Sequence, residues 1–244
     1  MKIALIGYGA MGKIVARLAV ERGHEIAGVL GSRELGLSEQ EIAAVLSGSD
    51  VAIDFTVAEA VRRNVEAAMI AEVPIVVGTT GWNEQRPEVE NIVRSGNGAM
   101  VYGANFSIGV NLFYRIADFA AELFAKFPEY EVFIEEQHHS RKKDAPSGTA
   151  LKLRDIVEAS LSKRADEGVR VPVASTRAGN IPGTHRVGFD GPADQILLEH
   201  SARSREGFAA GAILAAEWLV GKTGIFDFSE IVSEVVEVRE INHR

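Results

Sequence analysis

The sequence predicts an α/β protein that combines a doubly wound parallel sheet with an inserted α+β domain carrying a mostly antiparallel open sheet. Three observations lead to this prediction. Short apolar runs alternate with segments of helical periodicity up to about residue 105, which is typical of a parallel sheet covered by helices on both faces. A long helical segment and a series of strand-like runs then replace that alternation. A strongly apolar helical segment near residue 207 returns the chain to the first pattern.

The first part of the chain is predicted to contain strands and helices joined by right-handed crossovers. Its strands are continuous in Val, Ile and Ala, and they cover 2–7, 25–30, 51–55, 74–78 and 99–103. Between them, apolar residues recur at helical spacing over 10–22, 38–47, 57–71 and 84–95. This alternation predicts one domain with a parallel sheet at its centre.

The middle of the chain, 107–206, is predicted to fold as the inserted domain. Its first element is an amphipathic helix over 108–127, whose apolar side comprises Leu112, Phe113, Ile116, Phe119, Ala120, Leu123 and Phe124. The elements that follow are strands at 130–136, 170–176, 184–190 and 194–202, and a helix at 149–164. Helices at 207–220 and 227–236 are expected to complete the outer domain, which comprises 1–106 and 207–244.

Composition excludes several kinds of function. The chain of 244 residues is 46% hydrophobic and 25% charged, as in an ordinary globular protein. Without cysteine it has no disulfide, thiolate metal ligand or cysteine nucleophile. A formal net charge of −8 argues against general nucleic-acid binding, and the apolar runs are too short for a membrane span. The first apolar run passes directly into glycines without a cleavage site, so we expect no signal peptide and a cytoplasmic protein.

A glycine-rich loop joins the first predicted strand to the first predicted helix. The run Gly7-Tyr8-Gly9-Ala10-Met11-Gly12 fits the pattern G-x-G-x-x-G. In that context the first glycine permits a tight turn, the second lets a pyrophosphate approach the backbone, and the third allows close helix–strand packing. The loop therefore predicts a Rossmann-type dinucleotide site, and the alternative is a tight turn that binds nothing.

The choice of cofactor depends on the end of the second strand. An Asp or Glu there binds the ribose of NAD, whereas an Arg accommodates the 2′-phosphate of NADP. Here Ser32 and Arg33 precede the acidic Glu34. This order favours NADPH, or the use of both NADPH and NADH, and the alternative is that Arg33 is a solvated loop residue.

Loops at the carboxyl ends of later strands are expected to face the same cofactor. They offer small, hydroxyl-bearing and amide residues, namely Phe55, Thr56, Gly78, Thr79, Thr80, Ala104, Asn105 and Phe106. Taken singly, each of these residues could equally form a turn or cap a helix. Their shared position at strand ends favours a role in cofactor binding.

The segment 135–150, EEQHHSRKKDAPSGTA, concentrates groups suited to an anionic substrate. His138 and His139 can exchange a proton near neutral pH, Lys142 carries a fixed positive charge, and the helix predicted after Pro146 presents backbone N–H groups. Lys143 is expected to point to solvent. A histidine pair is also found in metal sites, but no third ligand stands at a useful spacing, so no metal is predicted.

These motifs together resemble the 4-hydroxy-tetrahydrodipicolinate reductase (dihydrodipicolinate reductase) family. The resemblance rests on GYGAMG, on NFSIGVN at 105–111, and above all on the pattern E-x-H-H-x-x-K-x-D-A-P-S-G-T-A, which residues 136–150 match at every fixed position. It continues through GTTGW at 78–82 and R-x-G-x-I-x-G-x-H at 177–185, so it covers nearly the whole chain.

The resemblance implies an NAD(P)H-dependent reductase that converts a cyclic unsaturated dicarboxylate to tetrahydrodipicolinate in lysine and diaminopimelate biosynthesis. By the family pattern His138 donates a proton and Lys142 supplies positive charge to the substrate. His139, Gly148 and Thr149 would bind a substrate carboxylate. The family is typically homotetrameric through its substrate domains, which makes 107–206 the expected substrate-binding and tetramerisation domain. Arg177 and His185 either line the substrate side or are structural.

Other classes of function stay open at this point. Another NAD(P)-dependent dicarboxylate or amino-acid dehydrogenase would keep the glycine loop but lack the His-His-Lys segment. A non-catalytic sensor would use the dinucleotide only as a ligand, because a fold does not fix a function. An assembly protein would use the open sheet edge for subunit contacts. Substrate-dependent oxidation of NAD(P)H separates the enzyme from both non-enzymatic classes.

Overall fold

A computed structural model describes residues 1–31, 36–162 and 169–241, with the backbone alone for 237–241. The chain divides into two compact units. Unit 1 comprises Met1–Ile108 together with Glu206–Arg244, and unit 2 comprises Gly109–Arg205. Among the described helices, none has the length and apolar character needed to cross a membrane.

The first part of unit 1 alternates strands and helices along the chain. Its strands are β1 (Lys2–Ile6), β2 (Glu25–Leu30), β3 (Val51–Asp54), β4 (Ile75–Val77) and β5 (Ala99–Tyr102). Its helices are α1 (Ala10–Glu21), α2 (Glu39–Leu46), α3 (Val61–Ile70) and α4 (Arg86–Ser95). Single 3₁₀ turns at Ala58–Ala60 and Asn83–Gln85 begin the segments predicted as continuous helices at 57–71 and 84–95.

Unit 2 and the C-terminal part of unit 1 follow. Unit 2 contains α5 (Ile108–Phe124) apart from its first residue, β6 (Glu131–His138), α6 (Gly148–Ser162), β7 (Val173–Arg177), β8 (Thr184–Asp190) and β9 (Gln195–Ser201). The chain then forms α7 (Glu206–Leu219), β10 (Gly224–Asp227) and α8 (Phe228–Ile241). The last two residues of the helix predicted at 149–164 lie outside the described residues.

The sheet of unit 1 confirms the predicted parallel, helix-covered architecture. Its strand order is β10-β5-β4-β3-β1-β2, and every ladder is parallel. β3 and β4 are completely buried, as expected for a parallel sheet covered on both faces. Because parallel strands end at the same edge, the loops after β1, β3, β4 and β5 lie along one side of the sheet.

Strand β10 at the edge of this sheet was not predicted. It pairs with β5 from Gly224↔Ala99 to Asp227↔Tyr102, and its four residues carry too little periodicity to be recognised in the sequence. The helix expected at 227–236 also differs, since α8 begins at Phe228 and extends to Ile241. The C-terminal segment therefore adds a strand as well as helices to unit 1.

The sheet of unit 2 has the predicted mostly antiparallel character. Its order is β7-β6-β8-β9, in which β6–β8 and β8–β9 are antiparallel. β6 and β7 are parallel because the chain crosses back through α6 between them. Buried residues of α5 and α6, among them Phe113, Ala117 and Leu153, pack with Val187 and Phe189 of β8 to form the core of unit 2.

The predicted apolar side of the first helix in this unit was wrong in part. Ile116, Phe119 and Leu123 are 53%, 63% and 44% exposed, whereas the buried residues are Val110, Asn111, Phe113, Tyr114, Ala117 and Ala121. Apolar residues surround most of this helix, so periodicity alone does not select the side that packs inward. α5 also ends at Phe124, earlier than the predicted residue 127.

Candidate active site

A row of polar side chains crosses the sheet of unit 2. Glu136 on β6 pairs with Ser175 on β7 and with His185 on β8, which in turn pairs with His200 on β9. Side chains at paired positions share one face of a sheet, so these four residues form one polar row. Glu136 and His185 at its centre are 1% and 5% exposed. Buried polar groups at such positions need partners, which Glu136 finds in Ser175 and His185 finds in Ser147.

Glu136 is held by donors from two elements. Its Oε1 accepts hydrogen bonds from the backbone N–H of Ser147 at 3.0 Å, from Oγ of Ser175 at 2.7 Å and from Nη2 of Arg177 at 2.6 Å. Burial by itself would raise the pKa of this carboxyl, but the hydrogen bonds from Ser147, Arg177 and Ser175 lower it to about 2. Glu136 is therefore a buried carboxylate that stays ionised at neutral pH.

His138 lies two residues further along β6, beside the same carboxylate. Its Nδ1 is 2.8 Å from Oε2 of Glu136, and its side chain is 11% exposed. Burial lowers the pKa of His138, Glu136 acts in the opposite direction, and the positive charges of Lys142 and Arg177 lower it further. The proton affinity of this imidazole is thus set by a balance of burial and opposing charges.

Ser147 connects the polar row to the start of α6. Its Oγ accepts a hydrogen bond from the N–H of Ala150 at 3.2 Å and lies 3.2 Å from Nε2 of His185. Burial, with the neighbouring His138 next in importance, lowers the pKa of His185 to about 4, so this imidazole is neutral near pH 7. The first turn of α6 is consequently fixed against β6 and β8.

Two of the predicted carboxylate-binding residues lie at this helix start, and one lies just beyond β6. Gly148 is exposed at the first position of α6, where its N–H is available to an anion. Thr149 is half-buried, and its side chain is hydrogen-bonded to Tyr114. Its hydroxyl is therefore already engaged within unit 2. His139 is half-buried.

Lys142 and Lys143 differ in their surroundings. Nζ of Lys142 is 2.9 Å from Oδ1 of Asp144, and the Lys142 side chain is only 25% exposed. The neighbouring Lys143 is exposed, as predicted. Arg177 secures the same loop, because its Nη2 also donates to the carbonyl oxygen of Asp144 at 2.6 Å. The loop thus holds one of the two lysines close to the polar row.

Four residues of this site received no assigned role from the sequence: Glu136, Ser147, Arg177 and His185. Each is separated from at least one partner by a strand pairing or a helix start that local sequence does not reveal. The signal that was available is the alternation of β6, which places Glu136 and His138 on one face. That alternation does not reveal Arg177 or His185, because their place in the site depends on how β7 and β8 pair with β6.

The sequence-based argument that no third metal ligand exists was incomplete. Glu136, His138 and His185 each bring one potential ligand atom within 4.8 Å of the others. However, Oε1 of Glu136 already accepts from Arg177, and the positive charge of Lys142 also acts on His138 and His185. Two cations beside the cluster oppose the binding of a third, so the absence of a metal stays a prediction that this arrangement favours.

In unit 1 the conformation of the glycine loop requires residues without a Cβ atom at two positions. Gly7 has φ +94°, and a Cβ there would overlap the carbonyl oxygen of Phe55. A Cβ at Gly12 would overlap the carbonyl oxygen of Gly7. A Cβ at Gly9 would meet no heavy atom of the described residues within 4 Å, although Gly9 is the N-cap of α1. The first turn of α1 has no acidic residue, so this helix start fits a pyrophosphate.

The loops after β3 and β4 are tied to a buried carboxylate. Oδ1 of Asp54 accepts from the N–H of Thr56 at 2.8 Å, from Oγ1 of Thr56 at 2.7 Å and from Oγ1 of Thr79 at 3.1 Å. Nδ2 of Asn64 donates to Oδ2 at 3.0 Å. Burial raises the pKa of Asp54, while these hydrogen bonds lower it. The hydroxyls of both threonines are therefore used to shape the loops.

The other predicted cofactor residues vary in exposure. Phe106 is 2% exposed and its ring packs against Phe55 and Phe228, so only its backbone is available to a ligand. Four are exposed, namely Tyr8, Ala10, Thr80 and Ala104, and four are half-buried, namely Met11, Phe55, Gly78 and Asn105. Ser32 and Arg33, predicted to select the cofactor, lie outside the described residues.

Comparison with known proteins covers both parts of the chain. The family model for the N-terminus of dihydrodipicolinate reductase matches residues 1–106, and the model for its C-terminus matches 109–232. The chain is 38% identical over 244 residues to the 4-hydroxy-tetrahydrodipicolinate reductase of Christiangramia forsetii, covering 96% of this chain and 99% of that relative. It is 36% identical over 262 residues to the enzyme of the same name from Archaeoglobus fulgidus, covering 95% and 100%.

Solved structures share the fold. A dipicolinate-bound dihydrodipicolinate reductase from Paenisporosarcina superposes with a TM-score of 0.75 at 22% identity, covering 95% of this chain and 99% of that one. A probable dehydrogenase from Thermotoga maritima superposes with a TM-score of 0.58 at 9% identity, covering 95% and 93%. The architecture is thus similar to that of a dipicolinate-binding reductase and of a more distant dehydrogenase.

Proposed function

The chain belongs to the dihydrodipicolinate reductase family, and from this premise we propose that it reduces 4-hydroxy-tetrahydrodipicolinate to tetrahydrodipicolinate with His138 as the proton donor. Membership makes the protein an NAD(P)H-dependent oxidoreductase of lysine and diaminopimelate biosynthesis. The residue roles, the preferred cofactor and the assembly are the parts that we add.

One observation carries the proposal. The two oxygens of Glu136 join the candidate proton donor to the candidate anion site, since Oε2 is 2.8 Å from Nδ1 of His138 and Oε1 accepts from the N–H of Ser147 at 3.0 Å. A proton donor fixed beside a helix start suits a substrate whose reduction generates negative charge next to a carboxylate. Such an arrangement supports a reductase better than it supports a sensor.

The residues of unit 2 have separate tasks in this reaction. The 4-hydroxyl group of the substrate leaves as water to give the unsaturated dihydrodipicolinate, and NAD(P)H, when bound, would supply the hydride that reduces it. The protonated imidazole of His138 gives a proton to the reduced substrate, and the negative charge of the substrate itself favours the protonated form of His138. Lys142 supplies positive charge both to the bound dicarboxylate and to the charge that develops in the transition state. The N–H groups of Gly148 and Thr149 bind a carboxylate with assistance from His139.

Cofactor use is proposed to extend to both NADPH and NADH, with a preference for NADPH. The support is the order Ser32-Arg33-Glu34 after β2, in which a guanidinium suited to a 2′-phosphate precedes the acid. Arg33→Ala is expected to raise the dissociation constant of NADPH by about 10-fold while leaving that of NADH nearly unchanged. Equal effects on both cofactors in fluorescence titrations would remove the argument for phosphate recognition.

We further expect a cytoplasmic homotetramer. Strand β9 lies at the edge of the unit 2 sheet, where Ile196 and Leu197 are each 45% exposed. An open edge with exposed apolar side chains favours association with another copy. Light scattering at micromolar concentration gives the mass of the assembly, and a monomer would contradict this part of the proposal.

The proposed reaction is tested by following NADPH and NADH oxidation with freshly prepared dihydrodipicolinate. Oxidation is expected to depend on that substrate and to yield tetrahydrodipicolinate. Simple 2-oxo acids with NAD(P)H, and diaminopimelate with NAD(P)⁺, serve as controls for another dicarboxylate or amino-acid dehydrogenase. Turnover with those compounds but not with dihydrodipicolinate would contradict the proposal, and binding of cofactor without any turnover would favour the sensor.

A further inference from the structure

We propose that Glu136 is a positioning residue that orients the imidazole of His138, so that the proton leaves from Nε2 on the side that Gly183 keeps open. The inference rests on the proposed function for the identity of the reaction. Beyond that function, it identifies Nε2 of His138 as the nitrogen that gives up the proton. It also explains what orients the imidazole and why residue 183 is a glycine.

The first step concerns the tautomer of His138. Nδ1 lies 2.8 Å from Oε2 of Glu136, and within the described residues neither buried atom has an aligned hydrogen-bond partner. At 2.8 Å the two atoms are already within hydrogen-bond distance, so only the orientation of the imidazole has to change for them to bond. An ionised carboxylate can only accept, so it selects the proton on Nδ1 and leaves Nε2 to exchange protons with the substrate.

The second step concerns the rigidity of Glu136. Its other oxygen, Oε1, accepts from Ser147, Ser175 and Arg177 at 3.0, 2.7 and 2.6 Å. These donors come from the start of α6 and from β7, so the carboxylate is restrained from two directions. Three donors at one oxygen leave Oε2 with a fixed direction, and that direction is towards His138. Restraint of this kind is what distinguishes an orienting group from a mobile counter-ion.

The third step concerns Nε2 of His138, the nitrogen that does not face Glu136. A Cβ at Gly183 would lie 3.2 Å from Nε2 and 3.4 Å from Cδ2 of His138, which is tight contact. Gly183 also has φ +153°, a conformation that other residues rarely adopt. Position 183 therefore lacks a side chain where one would crowd Nε2. The Nε2–H bond can break there and a bond from that proton to the substrate can form, leaving the neutral Nδ1–H imidazole beside Glu136.

Charged and titratable groups from every neighbouring element act on this imidazole. They are Glu136 on β6, Lys142 and Asp144 in the following loop, Arg177 on β7 and His185 on β8. Glu136 is the negative group closest to Nδ1, and Lys142 and Arg177 oppose it. Removal of its charge should therefore make His138 a stronger acid that is protonated only at lower pH.

The experiment compares Glu136→Gln with Glu135→Gln. Glu135 is the adjacent residue on the other face of β6, where its side chain is 44% exposed and pairs with Arg186 at 3.5 Å. Nitrogen-15 NMR of the wild-type protein above pH 8 is expected to show His138 as the Nδ1–H tautomer. Glu136→Gln should shift the population towards the Nε2–H tautomer, and Glu135→Gln should not.

Kinetics provide the second measurement. In Glu136→Gln we expect kcat to fall by on the order of 100-fold, and the basic limb of the kcat/KM profile to move about one pH unit lower. The dissociation constant of NADPH should stay within about twofold of the wild type. Glu135→Gln should keep both kcat and the pH profile. A merely structural role for Glu136 would leave the position of that limb unchanged.

Two results would overturn the inference. One is an Nε2–H tautomer in the wild-type protein, a measurement that needs no variant to fold. The other is a folded Glu136→Gln protein with the tautomer and the pH profile of the wild type. Failure of the proposed reaction is separately visible, because the tautomer can be read in a protein that does not turn over dihydrodipicolinate.

Discussion

The glycine loop of unit 1 and the polar row of unit 2 are built in opposite ways. The loop is shaped by absent side chains: Gly7 and Gly12 leave room for neighbouring carbonyl oxygens, and Gly9 leaves open space at the start of α1. The row is shaped by side chains that bind each other, with Glu136 and His185 buried at its centre. A backbone site suits a cofactor bound through its phosphates, and a side-chain site suits the transfer of a proton.

The difference also concerns electrostatics. The start of α1 offers the partial positive charge of a helix end, which does not titrate. The polar row contains groups whose pKa values differ widely, with Glu136 at about 2 and His185 at about 4. Changes in unit 1 should accordingly alter cofactor affinity, whereas changes in unit 2 should alter turnover and pH dependence.

The largest expected effect is that of Lys142→Ala. Loss of its charge should lower kcat/KM for the dicarboxylate by at least about 100-fold, because a fixed cation beside the developing charge stabilises the transition state. NADPH should bind within about twofold of the wild-type affinity. Lys143→Ala is the matched control, since Lys143 is exposed, and it should change kcat/KM little. Activity near the wild-type level in Lys142→Ala would remove this residue from the site.

A smaller effect is expected from Gly9→Ala. The added methyl group meets no described atom within 4 Å, so the melting temperature should change by no more than about 2 °C. The same methyl group would occupy the space that a pyrophosphate approaches, and the NADPH dissociation constant should rise by about 10-fold. Differential scanning fluorimetry and calorimetric titration measure the two quantities. An unchanged affinity would separate this loop from cofactor binding.

A third expected effect, on unfolding rather than on turnover or cofactor affinity, is a loss of stability in acid through His185. Its folded pKa of about 4 lies below its ordinary value of 6.5, so the unfolded chain takes up the proton first as the pH falls. The stability contributed by the neutral imidazole is complete above pH 6.5 and is lost as the pH falls towards 4. Relative to His185→Gln, the wild type should lose up to about 3 kcal/mol of unfolding free energy over that range.

Urea denaturation between pH 6.5 and 5 isolates this contribution. The folded pKa of Glu136 is about 2 and its ordinary value is 4.5, so its contribution is lost only at lower pH. Parallel stability curves for the wild type and His185→Gln across the upper range would contradict the assignment of His185 as a buried neutral partner of Ser147.

The contrast between a local backbone motif in unit 1 and paired side chains in unit 2 also explains how much of the fold and the site the sequence could predict. The parallel sheet and the glycine loop follow from continuous apolar strands and a local pattern, so both could be read from short segments. Strand β10 could not be predicted from its own sequence, because its four residues at the sheet edge depend on β5 for their conformation. The buried side of α5 could not be predicted either. Apolar residues surround that helix, and its packing against the sheet determines which of them are buried.

The candidate site likewise contains residues that a local motif predicts and residues that only the tertiary structure reveals. His138, His139, Lys142, Gly148 and Thr149 lie in one continuous segment, and a sequence motif points to all of them. Arg177 and His185 join the site only through the register of β7 and β8 with β6, which is a property of tertiary structure. The engagement of the Thr149 hydroxyl by Tyr114 likewise depends on the packing of α5 against α6.

The central claim is that unit 1 binds the cofactor and that the residues beside the polar row of unit 2, Lys142 among them, act on the dicarboxylate. Calorimetric titration of NADPH and of dipicolinate, as a probe for a planar dicarboxylate, into Gly9→Ala and Lys142→Ala tests it most directly. Gly9→Ala should weaken NADPH and leave dipicolinate unchanged, and Lys142→Ala should do the reverse. If each variant weakened both ligands equally, or if Lys142→Ala weakened only NADPH, the division of roles would be contradicted.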